Sequence, residues 1–124
     1  MKSIEELGER WHRIFRTLAA GPRRQLIGAL MESPPERSLS LPEAANMPDY
    51  RLDPERLTHD LVHHHLPMME RAGFIEWRRE PFEASRGDRF EEIAAVLEAI
   101  ASYEDLPQRL RTGCHLFEKI GGDR

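Results

Sequence analysis

Residues 58–77, THDLVHHHLPMMERAGFIEW, decide how this chain is read. They begin with apolar residues three and four apart and end, beyond Gly73, in the alternation Phe74-Ile75-Glu76-Trp77. The first period is that of a helix and the second that of a strand. Asp53-Pro54 supplies an N-cap and a first helical residue, so the helix is predicted over 54–72, with Gly73 as its stop. At about 100° per residue, Leu57, Leu61, Val62, Met68, Met69 and Ala72 share one face, with His65 in its middle. His65 is therefore expected to be a neutral, hydrogen-bonded core histidine. Arg56, His59, Asp60, His63 and His64 look outward.

Upstream, Ser3 and Glu6 have capping-box spacing and open a helix carrying Ile4, Leu7, Trp11, Ile14, Phe15 and Leu18. Gly21 is expected to end it, and Pro22 to begin a second helix packed through Leu26, Ile27, Leu30 and Met31. A second capping box, Ser40 with Glu43, predicts a short helix of about two turns. Downstream of the strand, turns at Pro81 and Gly87 would bring residues 88–90 back as a second strand. A helix with Phe90, Ile93, Ala94, Leu97, Ile100 and Ala101 on one face follows, and the tail repeats such a face with Leu106, Leu110, Cys114 and Phe117.

A short helix, a longer helix and a two-stranded ribbon, in that order, predict a winged helix-turn-helix: mainly α, with a small β-hairpin wing. Residues 21–90 would form it. Residues 1–20 and 91–124 would add helices for dimerisation.

The bulk composition agrees with one globular domain: 124 residues, 40% hydrophobic and 32% charged. No apolar run approaches the roughly 18 residues of a membrane span, and acidic residues stand where a signal peptide has its apolar stretch. A cytoplasmic protein is expected. One cysteine excludes an internal disulfide and a multi-cysteine zinc site. The net charge of −4 is unevenly spread: residues 10–31 hold five arginines and no acid, residues 91–105 five acids and no base. Such a split lets an acidic protein meet phosphate with one face.

Enzymatic motifs are missing. There is no HExxH pair, no glycine-rich phosphate loop and no G-x-S-x-G elbow. His59 and His63 are four apart and could share a metal ion, but a third ligand is wanting, so neither metal nor cofactor is expected. The exposed stripe suits double-stranded DNA better. Arg56, His59, Asp60 and His63 would meet base edges, and Tyr50 and Arg51 would touch phosphate. Arg78, Arg79, Arg86 and Arg89 flank the hairpin as wing cations. Ser38 and Ser40, with the amides that start the short helix, could hold another phosphate. Apolar residues left over from a small core (Trp11, Phe15, Leu97, Ile100, Tyr103, Leu106, Leu110 and Phe117) predict a homodimer. Two other readings stand beside this one: a winged helix used only for protein docking through the acidic helix after the wing, and a histidine-based metal sensor.

At PRRQLIGAL, at LTHDLVHHHLPMMERAGFIEW and in the helices after the wing, the chain resembles small archaeal winged-helix transcriptional regulators of the broad PadR and ArsR type. The resemblance covers roughly residues 20–100 and is most distinctive over 63–77. It implies a homodimer built from terminal helices and bound to a palindromic operator, in a group where some members answer to metals, small molecules or oxidative stress. The cysteine-rich box of the metal-sensing branch is missing here.

Overall fold

Ser3 accepts a hydrogen bond from the Glu6 amide and starts α1 (Ile4–Leu18). The computed structural model describes residues 3–47, 51–111, 116 and 117. After α1 come α2 (Gly21–Met31), β1 (Leu39–Ser40) and a single 3-10 turn (Glu43–Ala45). One long helix follows in three sections: α3 (Pro54–Asp60), a π-helical turn (Leu61–His65) and α4 (Leu66–Arg71). Then come β2 (Ile75–Arg79), β3 (Phe82–Arg86), α5 (Phe90–Ser102) and a last 3-10 turn (Gln108–Leu110). The whole is mainly helical with one three-stranded antiparallel sheet of order β1-β3-β2, an arrangement compatible with a winged helix. No helix among the described residues is long and apolar enough to cross a membrane.

The boundaries of the long helix follow from its sequence. Asp53 accepts from the Arg56 amide as N-cap, and Pro54 occupies the first turn, where no amide donor is needed. At the far end Gly73 adopts φ +83°, a left-handed conformation that costs a glycine nothing, and its amide closes on the Glu70 carbonyl.

Between these ends the uniform 100° wheel fails. Pro67 has no amide to offer the preceding turn, and in a regular α-helix its ring would collide with the His63 carbonyl. The helix widens at this point, so that the Leu66 amide reaches back five residues to Leu61. Leu61 and Leu66, five apart, therefore both lie fully buried. Val62, expected on the core face, is only half-buried.

The sheet corrects two expectations. The returning strand is Phe82–Arg86, in register Arg79↔Phe82 to Ile75↔Arg86, and not residues 88–90. Its buried residue, Ala84, faces the core with Ile75. Gly87 ends the strand: its amide donates to the Phe74 carbonyl, and a Cβ there would lie 2.5 Å from the Gly73 oxygen. Residues 88–90 turn into α5. Likewise, Ser40 caps no helix. Residues 39 and 40 pair with β3, the Leu41 amide donates to the Phe82 carbonyl, and only one 3-10 turn remains of the two turns expected.

The core lies between α2, the long helix, the sheet and α5, with Leu26, Ile27, Leu57, Met69, Phe74 and Ile93 almost or wholly out of contact with water. Each such side chain contributes about 1.5–3 kcal/mol of burial. Leu97 and Phe117, expected at a dimer surface, belong to this core instead, at 0% and 6% exposure. They sit on the faces of their segments that the chain itself covers.

Candidate nucleic-acid interface

Arg56, His59 and His63 stand along the solvent side of α3 and the π turn, all three exposed. The His59 and His63 rings are 4.5 Å apart between centroids, and His59 Nδ1 lies 3.6 Å from a carboxylate oxygen of Asp60. Among the described residues no third histidine, cysteine or carboxylate completes a metal site. The Arg56 guanidinium forms no ion pair among the described residues and projects from the first turn of the helix. The stripe thus offers one forked cation, two imidazoles and one carboxylate, a donor and acceptor set of the kind that reads base edges in a major groove.

His65 behaves differently from its neighbours. It is half-buried, and its Nδ1 accepts a hydrogen bond of 2.8 Å from Arg23. Burial, then the nearby Arg23 charge, push its pKa down from 6.5 to about 4. The ring is neutral at physiological pH, with its proton on Nε2. Because the folded form refuses a proton that the unfolded chain accepts, stability should fall as pH drops below 6.5 and level off near pH 4. The loss is on the order of 2 kcal/mol, discounted for partial exposure. Urea melts across this window should show it in the parent and not in His65→Gln.

Arginine dominates the basic residues, and the structure shows what much of it does. Arg23, 6% exposed, donates to the carbonyls of Arg16 and Thr17 at 2.9 and 3.1 Å, and Arg24 donates to that of Leu18. Arg111 donates to the Ala101 and Tyr103 carbonyls at the end of α5. Arg86 donates to the Leu30 and Ser33 carbonyls at the end of α2 and stacks on Phe90 at 4.7 Å. The last carbonyls of a helix lack intrahelical partners and carry its negative pole. Guanidinium groups satisfy both needs. This also explains why α1 ends at Leu18, before Gly21.

Several of the expected contacts therefore change role. Arg86 is a brace between β3 and α2, unavailable to a ligand. Arg86→Ala should lower stability by about 1.5–3 kcal/mol and leave any ligand affinity of the folded protein unchanged; thermal melts and binding titrations of the same variant check both halves. Arg78 is engaged by Glu83 at 2.8 Å on the open face of the sheet. Ser38 shares a shallow cleft with Glu76, Arg78 and Glu83, and Ser40 lies opposite Glu83. Neither serine is set to receive phosphate beside those carboxylates. Arg89 is exposed but packs along Gly73 at the base of the hairpin, away from its tip. Arg79, beside the Glu80-Pro81 turn, is the exposed cation of the tip, and Arg51 is exposed just before the helix. Tyr50 and Cys114 lie outside the described residues.

The capping roles of Arg86 and Arg111 have no local mark in the sequence, whereas Pro22-Arg23-Arg24 directly after a helix end was a usable signal for the other two. Comparison with models of protein families, with characterised proteins and with solved structures returns no match.

Proposed function

We propose that the protein is a sequence-specific DNA-binding transcriptional regulator of the winged helix-turn-helix class, acting as a homodimer on a palindromic operator and without enzymatic activity. Membership of the broad PadR- and ArsR-like group is part of the same proposal. The observation that carries it is the exposed edge Arg56–His59–His63 on a long helix that follows a short turn and precedes the β2–β3 hairpin of a three-stranded sheet of order β1-β3-β2. In that arrangement the helix enters the major groove while the hairpin tip, with Arg79, rests on the backbone. Two copies related by a twofold axis would set their helices about 34 Å apart, one turn of duplex.

Exposed apolar side chains support the dimer: Trp11, Phe15, Tyr103 and Leu110 are each more than half exposed, and Ile100 and Leu106 are partly so. The reading is tested by fluorescence anisotropy on random and genomic duplexes between about 50 and 200 mM salt. Binding should weaken steeply with salt, and Arg79→Ala should reduce the slope by about one counterion while weakening all sequences alike. No binding to any duplex even in dilute salt would favour a docking module instead. The exposed acids of α5, Glu91 and Glu98, would then be its contact surface.

A further inference from the structure

Helix α1 buries side chains against the rest of the chain only in its last turns, at Ile14, Thr17 and Leu18, with Arg10 reaching to 3.9 Å from Glu92 of α5; residues 3–9 are exposed throughout. Yet this free half is not polar all round. Ile4, Leu7, Trp11 and Phe15 form an apolar stripe with exposures of 89%, 46%, 51% and 59%, and Trp11 stacks on Phe15 at 5.7 Å. At about 100° per residue this stripe lies roughly a quarter-turn from the buried side, so the body of the chain does not cover it. A helix of this length with its apolar face in water is marginal by itself.

The stripe has an internal order that identifies its occupant. Positions 4, 8, 11 and 15 repeat at four, three and four residues, and position 8 is a glycine with nothing within 4 Å of where a Cβ would stand. The charges are sorted along the same helix: Glu5, Glu6 and Glu9 precede Arg10, Arg13 and Arg16. Turned antiparallel onto itself about its middle, the helix puts Ile4 against Phe15 and the Trp11 indole over the bare backbone at Gly8. On one flank Glu5 then meets Arg16. A parallel pair would instead set indole on indole at Trp11 and leave Glu5 and Arg16 eleven residues apart along the axis, out of each other's reach. Among the described residues neither Glu5 nor Arg16 forms an ion pair through its side chain.

We propose that α1 is the surface through which two copies of this chain associate, antiparallel, each Trp11 seated over Gly8 of the partner. This deepens the dimer of the proposed function and replaces the C-terminal segment, with Tyr103 and Leu110, as its principal interface. In that register positions 4 and 15 of different copies adjoin, whereas the two copies of position 4 lie roughly 16 Å apart along the axis, far beyond the roughly 7 Å between Cα atoms that a disulfide spans.

The test mixes Ile4→Cys chains with Phe15→Cys chains, both in a Cys114→Ser background, under mild oxidation and without DNA. Expected is a disulfide between copies in the mixture and none in either chain alone. In sedimentation, Trp11→Ala should raise the dimer dissociation constant on the order of tenfold or more. Glu5→Arg and Arg16→Glu should each weaken the dimer, and together they should restore it, with the circular dichroism unchanged. A parent chain of monomer mass, self-crosslinking of Ile4→Cys, or a dimer that never forms the mixed bridge would overturn the proposal. A monomer that binds DNA would leave the DNA reading standing, and a 4–15 bridged dimer that binds no duplex would refute only that reading.

Discussion

Replacing Arg23 by alanine is expected to lower the stability of the fold by about 3–5 kcal/mol, a large share of what a domain of this size possesses. The residue is buried where α1 ends, α2 begins and the π turn passes. It donates to two C-terminal carbonyls of α1 and to His65 Nδ1. Its removal leaves three acceptors without their donor in a site that water reaches poorly, and an unsatisfied buried acceptor costs about 1–3 kcal/mol. Burial, followed by the Arg16 and Arg24 charges, pulls the pKa of Arg23 down, so the charge is held there at a cost that its hydrogen bonds offset. Arg23→Lys should recover little, since one ammonium cannot reach all three acceptors. Denaturant unfolding of the two variants provides the check. A loss below about 1 kcal/mol for Arg23→Ala would mean that the clamp is not holding the helices together.

Arg56→Ala should cost about 1–3 kcal/mol in affinity for the preferred duplex, roughly 5- to 150-fold, and relax the preference at one base pair of each half-site. Asp53 and Pro54 fix where the helix starts, which puts the Arg56 side chain in the first turn, the part of a recognition helix that goes deepest into the groove. Its exposure and its lack of a carboxylate partner among the described residues leave the guanidinium able to grip a guanine with two parallel bonds. The stability of the variant should stay within about 0.5 kcal/mol of the parent, as for an ordinary surface substitution. Selection from a random duplex pool, run on parent and variant, would show the change. Identical selected sites and affinities would place Arg56 off the interface.

What could be read from the sequence was whatever depends on neighbouring residues. Asp53-Pro54, Gly73 and the phase of Ile75 and Trp77 each act within a few positions, and each stands where it was expected. The inward turn of His65 was legible in the same way, although it lies half-buried and its partner, Arg23, comes from α2. Most of the failures share a cause, namely action at a distance. Ser40 and Glu43 have the spacing of a capping box, but the backbone of Ser40 is taken by β3, some forty residues on. Arg86 looks like a wing cation until its partners are found at Leu30 and Ser33. A guanidinium that closes a helix end and one that awaits phosphate are the same letter in a sequence, and only the tertiary position of the helix ends tells them apart. Pro67 was in plain view, yet a wheel of constant pitch cannot show that the helix widens to accommodate it.

The most direct measurement is an amide NMR titration of the isotope-labelled chain with a short duplex in dilute salt. The shifts should concentrate in residues 54–64 and around Arg79 at the hairpin tip, with the outer face of α5 at Glu91 and Glu98 unmoved. Shifts confined to α5, or a spectrum that the duplex leaves unchanged, would contradict the account.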